Sequence, residues 1–445
     1  MAFTRRETAI LIIGDFILLI ASLWAALLIR NLALPAASYF LANLLPFLPV
    51  FLLSLAVFYI AGLYEKQTAP VRRVMSERIA GAQLANAIIA ALLFFVLPFA
   101  IAPKTILAIY LVVSIAAVSL WRSYRLGREI KREGRVSAAL VGRGAAAREL
   151  FEEVNGGGRY LIRFNEWIDT ERLAAPGALS AAVARALLGG ARILVLDTRD
   201  PVIADDLPML YDAMTKGASF VEFAQFYEEL FDRVPLAHID YAWLFAVVPA
   251  RPLLYDIAKR AFDLFFAAAG SVVALPFILL AALLLAPSGP PFIFNERVGK
   301  GGRVFTMIKL RTMLFNDQGD PMLRAKNRVT ALGRFLRQSR IDELPQLWNV
   351  LLGDVSFIGP RPELPAIAAV YEREIPFYQI RHLIPPGLSG WAQIRDYDAP
   401  RGGPDVEKTR TKLSYDLYYL KHRSFGLDLS IAAKTLRALA SFSGK

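Results

Sequence analysis

The sequence predicts a membrane α+β protein in three parts. These are four transmembrane helices within 1–135, a cytoplasmic α/β domain at 136–250, and a domain at 251–445 that carries one more membrane helix. Three observations lead to this. Four apolar runs fill the N-terminal part, each near the ~20 residues that cross a hydrocarbon core. After Val136 short apolar strands alternate with helical segments. A further long apolar run at 255–286 is followed by a polar, arginine-rich C-terminal portion. With 56% hydrophobic residues and a mean hydropathy of +0.42, the chain is too apolar for an ordinary water-soluble enzyme.

The apolar runs are 9–29, 39–63, 79–99 and 106–121. The first lacks a small-residue cleavage pattern and is followed by further spans, so it is read as part of the mature protein. Basic residues set the orientation. Arg5 and Arg6 precede the first run, and Lys66, Arg72, Arg73 and Arg78 fill the second connection. Arg122, Arg125, Arg128, Lys131, Arg132 and Arg135 follow the fourth, whereas the outer connections hold only Arg30 and Lys104. The N-terminus and everything after Trp121 are therefore expected on the cytoplasmic side. Asp15, inside the first run, is expected to hydrogen-bond another helix near its cytoplasmic end.

Composition removes several chemistries. With no cysteine there are no disulfides, thiolate metal sites or cysteine nucleophiles. His238, His382 and His422 lie far apart in sequence, which argues against a histidine metal cluster. A net charge of +12 calls for anionic partners. In so apolar a chain these are lipid head groups and phosphorylated substrates rather than nucleic acid.

In the α/β part, 137–141, 191–197 and 219–223 read as strands and 205–216 as a helix. Gly142-Arg143-Gly144-Ala145-Ala146-Ala147 opens another helix with G-x-G-x-x-A spacing. That spacing is a weak dinucleotide signal: Arg143 crowds the turn, and no ribose-binding acid stands out after the second strand. A structural or regulatory role is expected instead.

The run at 255–286 begins with Lys259, Arg260 and Asp263 and is interrupted by Pro276. Its length permits a full crossing, but that would export the arginine-rich remainder against the charge rule. Proline removes a backbone hydrogen bond and bends a helix. A re-entrant helix, bent at Pro276 and returning to the cytoplasmic face, is the expectation. Residues 294–313 read as a basic hairpin with Glu296, Arg297, Lys309 and Arg311 around a turn at 299–302. Aromatics and cations alternate over 413–437, as suits a helix at the membrane interface.

The densest chemistry lies at 334–365. Asp342 and Glu343 stand side by side, followed by Leu344, Leu347, Trp348 and Leu351 at helical spacing. Pro345 is tolerated only in a first turn, so a helix is expected to begin close to the acid pair and to seat a phosphate at its N-terminus. Arg337 and Arg340 precede the pair, and Gly359-Pro360-Arg361-Pro362 presents another guanidinium. Acids in a first helical turn are commonly mere stabilisers. Here they combine with several arginines in a setting suited to an anionic ligand.

From Ser339 to Pro362 the chain reads S-x-x-D-E-L-P-Q-L-x-N-V-L-x-G-D-x-S-x-x-G-P-R-P. This resembles the signature of the bacterial sugar transferases, the polyprenyl-phosphate phosphoglycosyl transferases of the monotopic kind. Lys259-Arg260-x-x-Asp263 with Pro276, Glu296-Arg297-x-Gly299, Lys309-x-Arg311-Thr312-Met313 and the 387–393 loop GLSGWAQ match further family motifs. Residues 228–235 resemble the exit from the Rossmann-like domain of the family's larger members. The chain departs from the family at Leu275, where Ser is common, Asn295, where Gln is usual, and Pro385, where Arg is common.

The resemblance implies a Rossmann-like central domain and a monotopic catalytic domain on the cytoplasmic face of the bacterial inner membrane. It implies transfer of a phosphosugar from a nucleotide sugar, UDP-linked, to polyprenyl (undecaprenyl) phosphate, the first membrane step in building a surface glycan. Asp342 would be the nucleophile that carries the phosphosugar, and Glu343 with Asp342 would hold Mg²⁺. Arg337, Arg361 and Lys309 or Arg311 would meet phosphates, Arg297 and Pro362 would belong to the substrate-binding set, and Lys259 and Arg260 would lie at head-group level. Nucleotide sugar, polyprenyl phosphate and membrane lipid are the implied partners; a homodimer is left open. Every motif lies after Arg251, so a chain starting there is expected to keep activity. Two other classes compete with this reading. A membrane sensor or scaffold would use the acid pair only as a helix stabiliser. A nicotinamide-dependent epimerase lacks a Tyr-x-x-x-Lys pair near Gly142 and Gly144.

Overall fold

The computed structural model describes residues 5–60, 63–64, 79, 81–83, 85–91, 104–133, 135–157, 160, 162–173, 177–206, 211, 218–247, 253–314, 327–395 and 404–440. The chain divides into two compact units, Met1–Phe231 and Asp232–Lys445.

Three long helices open the first unit: α1 (Arg5–Asn31), α2 (Ala37–Ile60) and α3 (Lys104–Glu133). Each contains a segment long and apolar enough to cross a membrane: Ala9–Asn31, Ala37–Tyr59 and Thr105–Arg122. Leu19, Leu23 and Leu27 of α1 pack with Phe47 and Phe51 of α2 and Tyr110 of α3. The expected span at 79–99 is helical where described, and its remainder lies outside the described residues, as does the basic connection at 66–78. Asp15 does bond another helix. Arg122 of α3 pairs with it through two guanidinium nitrogens, and the Tyr64 hydroxyl donates to it at 2.9 Å. A buried charge is tolerated only when paired in this way.

The α/β part of this unit is a parallel sheet of order β2-β1-β3-β4. Its strands are β1 (Val136–Val141), β2 (Ile162–Ile168), β3 (Ile193–Leu196) and β4 (Ser219–Glu222). Around them lie α4 (Gly144–Gly156), α5 (Ala178–Leu188), α6 (Pro201–Asp205) and α7 (Phe223–Phe231). Strand side chains alternate, so both faces are covered. Ala138 and Leu140 meet α4 and α7, while Ala139 and Val141 meet α5 and Ile203. The sequence reading missed β2. It is an edge strand whose Arg163, Asn165 and Glu166 break the apolar run that marks the buried strands β1 and β3. The expected helix at 205–216 lies largely outside the described residues.

The second unit starts earlier than the sequence boundary at 251. Val234 donates its backbone N–H to Ser414 O at 3.1 Å. Val234, Ile239 and Trp243, the last on α8 (Tyr241–Val247), are buried with Tyr371, Ile375, Leu413 and Leu417. The membrane helix α9 (Leu253–Leu285) is one continuous 33-residue element with Pro276 inside it. Its Ala267 meets Met307 and Val350, while Ala281 and Leu285 meet Leu310 and Leu336. Val272, Val273, Leu279 and Leu283 are exposed, the pattern of a surface facing lipid.

An antiparallel hairpin follows, β5 (Phe292–Val298) and β6 (Val304–Leu310). Then come α10 (Ala331–Gln338), α11 (Gln346–Leu352), β7 (Ser356–Ile358), α12 (Pro365–Glu374), β8 (Gly387–Ser389), α13 (Val406–His422) and α14 (Phe425–Ala440). The interfacial helix expected over 413–437 is thus two helices with different roles. Leu413, Asp416, Leu417 and Tyr419 make α13 part of the core, and only α14 exposes Phe425, Leu429 and Leu436.

Strands β7 and β8 pair in parallel so closely that a Cβ on Gly387 would lie 2.0 Å from Gly359 N. Backbone faces backbone there, so neither side can yield. Gly387→Ala is expected to cost about 3 kcal/mol or more. A thermal midpoint lowered by roughly 10 °C would report it.

Candidate active site

A helix does begin close to the acid pair, at Gln346, but Asp342 and Glu343 lie ahead of it. Helix α10 ends at Gln338, and Arg340 takes a left-handed backbone, φ 59° and ψ 14°, rare for a residue with a Cβ. Ile341–Glu343 then forms its own 3₁₀ turn, closed by Glu343 N–H to Arg340 O and Leu344 N–H to Ile341 O, both at 3.2 Å. Pro345 caps the start of α11 rather than lying inside its first turn. The helix is seven residues long, so little dipole is available for the expected phosphate seat, and charge at the site comes from side chains.

Asp342 and Glu343 are adjacent but differ electrostatically. Asp342 is only 8% exposed and its Oδ1 has no hydrogen-bond partner. Burial, with Glu343 beside it, pushes its carboxyl up to about 6 against the pull of Lys309, Arg337 and Arg340. Burial acts on Glu343 in the same direction, but Lys309, Arg361 and Arg340 outweigh it and hold Glu343 below the usual range. Lys309 Nζ donates to Glu343 Oε1 at 2.9 Å, and Arg340 lies 3.7 Å from Oε2. Two neighbouring carboxyls with acidities pushed apart are a recurrent arrangement in catalytic sites.

The remaining expected residues fall into two groups. Arg337 donates from Nε to Thr312 Oγ1 at 2.8 Å and its charge acts on Asp342. Arg361 is exposed beside buried Pro362 and its charge acts on Glu343. Arg297 is lowered by burial and by Arg361, with Glu363 opposing. Its Nε is buried without a partner, and Glu363 is engaged by Lys412. Two guanidiniums held near each other are an unfavourable arrangement that an anion would relieve. Lys309, Arg337 and Arg361 therefore belong with the acid pair, and Arg297 lies beside Arg361.

Lys259, Arg260 and Arg311 do not join them. Lys259 Nζ donates to Asp428 Oδ2 at 2.8 Å, a carboxylate shared with Tyr255 and Tyr419. Arg260 donates to Val350 O and Leu351 O at 2.6 and 2.8 Å, capping the C-terminal end of α11 as a cation favourably does. Arg311 is 5% exposed and bonds Ser288 Oγ, Leu285 O and Leu314 O.

Two supports went unread in the sequence. Asn349, nearly fully buried, accepts from Ile308 N–H and donates to Thr306 O, joining α11 to β6 beside Lys309. Buried Arg381 pairs with Asp416 at 2.8 Å and donates to Arg361 O at 2.8 Å, fixing the loop that carries Arg361. Only the four-residue spacing of Lys412 and Asp416 on α13 hints at that network.

No group of three or more His, Asp or Glu side chains able to hold a metal gathers among the described residues. A divalent ion that takes most of its oxygens from phosphates and water needs only one or two carboxylates. Asp342, with its unpartnered Oδ1, and Glu343 fit that smaller requirement. In the α/β part, the Gly142–Gly144 turn opens on a cavity of about 620 Å³. Glu149, Glu152, Glu153, Asp169 and Glu171 line it against Arg148 alone, a charge balance that disfavours a dinucleotide. Asp169, directly after β2, caps the 3₁₀ turn at Thr170–Arg172, its carboxylate accepting from Glu171 N–H at 3.2 Å.

A profile of the bacterial sugar transferase family matches residues 254–441. A UDP-glucose:undecaprenyl-phosphate glucose-1-phosphate transferase of Caulobacter vibrioides is 40% identical over 205 residues, 44% of this chain and 76% of its own. An exopolysaccharide production protein of Rhizobium leguminosarum is 37% identical over 189 residues, 40% of this chain and 94% of its own. A UDP-N-acetylgalactosamine-undecaprenyl-phosphate N-acetylgalactosaminephosphotransferase of Aeromonas hydrophila is 39% identical over 226 residues. That match spans 49% of this chain and about half, 52%, of the Aeromonas protein.

Proposed function

The chain belongs to the bacterial sugar transferase family, and we propose that it moves a sugar 1-phosphate from a UDP-sugar to undecaprenyl phosphate at the cytoplasmic face of a bacterial inner membrane. The product would start a surface glycan such as an exopolysaccharide. The observation that carries this reading is the split acid pair: Asp342 buried with a free oxygen, Glu343 held ionised by Lys309, Arg337 and Arg361 acting on them, and Arg297 beside Arg361. Both substrates are anionic phosphates, so these cations have ligands.

In the first step an Asp342 carboxylate oxygen attacks the sugar-bearing phosphorus and the P–O–P bond breaks, releasing UMP. In the second, an undecaprenyl phosphate oxygen attacks the same phosphorus, the acyl-phosphate bond breaks, and the carboxylate is restored. A covalent carboxylate suits transfer between a dissolved donor and an acceptor lying in lipid. Burial leaves Asp342 poorly solvated and so more reactive once ionised. Arg361 and Arg297 would grip the diphosphate, while Lys309 holds Glu343 in place. A Mg²⁺ ion held by Asp342 and Glu343 would offset charge as UMP leaves.

The membrane arrangement in this reading has a fourth N-terminal span over 79–99, a Rossmann-like central domain, and α9 entering one leaflet and returning. Contacts at both ends of α9 support the last point. Arg260 near its start bonds α11, and Leu285 at its end packs on Leu310 and bonds Arg311, so the polar hairpin and acid-pair turn accompany the helix along its length. A straight crossing would separate those partners by a bilayer.

Purified protein with undecaprenyl phosphate and a panel of UDP-sugars should release UMP with at least one donor and place its sugar phosphate on the lipid. Absence of nucleoside monophosphate release with every donor, including sugars carried on nucleotides other than UDP, would favour the sensor or scaffold reading.

A further inference from the structure

We propose that Arg311 is a clasp that ties the returning end of the membrane helix α9 to the active-site strand, and not a phosphate ligand; this rests on the re-entrant reading above. The last carbonyls of a helix have no partners of their own, and in apolar surroundings each unpaired one is costly. The end of α9 lies in such surroundings, where Ala281, Leu285, Leu310 and Leu336 pack together with Ile341, the neighbour of Asp342. One guanidinium nitrogen of Arg311 donates to Leu285 O at 3.3 Å and to Ser288 Oγ at 2.7 Å, and Ser288 Oγ itself donates to Leu285 O at 2.8 Å. The other terminal nitrogen donates to Leu314 O at 2.5 Å.

The backbone of Arg311 joins in, its N–H donating to Pro291 O at 2.7 Å. Gly289, at φ 122°, takes a backbone that favours glycine and forms the turn beside the guanidinium, where even a Cβ would make only ordinary contact with the terminal nitrogens, at 3.6 Å. Both terminal nitrogens of Arg311 are thus engaged, and its Nε is buried. A diphosphate could reach this group only by breaking the clasp. Lys309, two residues earlier, holds Glu343. The clasp therefore fixes the same strand that sets the acid pair, and Arg311 is a positioning residue for the transfer.

The cysteine-free chain allows a clean test with Pro290→Cys as the reporter, because Pro290 is exposed and Ser288 is part of the clasp. With Arg311 intact, an impermeant maleimide should label this thiol in inverted vesicles and not in intact cells. Labelling from outside would overturn the re-entrant reading whatever Arg311 does. Adding Arg311→Met to the reporter should speed labelling in inverted vesicles about fivefold or more, as the turn loosens. In the same protein kcat should fall at least tenfold while KM for the UDP-sugar stays within about twofold. Arg311→Lys should fall between, and Ser288→Ala should shift labelling and kcat in the same direction by less. If Arg311→Met does not fold, those two milder variants decide. A KM raised about tenfold with the labelling rate unchanged would make Arg311 a phosphate contact. No change in labelling, kcat or KM would leave it without the proposed role.

Discussion

Asp342→Asn should abolish turnover and covalent capture of the sugar phosphate while making the folded protein more stable at pH 7.5. The loss expected for a missing nucleophile is about 10⁴-fold or more, several kcal/mol of barrier. The stability gain follows from the titration. Asp342 ionises near pH 6 in the folded protein against 3.8 for an ordinary aspartate. The unfolded chain therefore loses this proton first, and stability falls as pH rises from about 4 to about 6, then levels off. A neutral asparagine escapes that loss, on the order of 2–3 kcal/mol, if its amide is tolerated where Oδ1 has no partner. Activity of the unaltered protein should run the other way, rising with pH through about 6 as the carboxylate forms. Residual activity within about tenfold of the parent would remove Asp342 from the nucleophile's role. Asp342→Asn that is inactive but less stable at pH 7.5 would show that the carboxylate is not held at a cost.

The ingredients of the site were legible in the sequence, because motif spacing alone places Asp342, Glu343, Arg337 and Arg361 within one short stretch. Their local geometry was not. A proline can stand inside a first turn or ahead of it, and the left-handed Arg340 that separates α10 from the acid-pair turn has no sequence mark. Basic residues misled for a related reason. A lysine or arginine reads the same whether it meets a phosphate or a carbonyl, and the acceptors of Arg260 lie 90 and 91 residues further on. Strand β2 was missed because an edge strand need not be apolar on both faces. The strands β1, β3 and β4 and the paired Asp15 followed patterns that the sequence does carry, short apolar runs and an acid within a membrane run.

A chain beginning at Asp232 should fold and transfer sugar phosphate, whereas one beginning at Arg251 should be unable to hold its fold. The sequence motifs favoured the shorter version, since all of them lie after Arg251. The packing favours the longer. Val234 is 1% exposed and Trp243 5%, both inside the core formed with Tyr371, Leu413 and Leu417. Asp232 also accepts the Trp391 indole N–H on its carbonyl at 2.8 Å and pairs with Arg395 through its carboxylate. Trp391 belongs to the loop at Gly390, whose missing Cβ would lie 2.4 Å from Gly359 O, and Gly359 leads into Arg361. Burying each of Val234, Ile239 and Trp243 contributes about 1.5–3 kcal/mol, so removing all three takes away about 4.5–9 kcal/mol. That rivals the whole net stability of a typical domain. Thermal unfolding of the two truncated proteins in lipid vesicles, with UMP release measured on the same samples, separates the cases. An Arg251 protein as stable and active as the Asp232 one would mean that residues 232–247 are dispensable to the catalytic unit. An Asp232 protein that folds, binds membrane and yet releases no UMP would mean that the preceding residues contribute to the reaction itself.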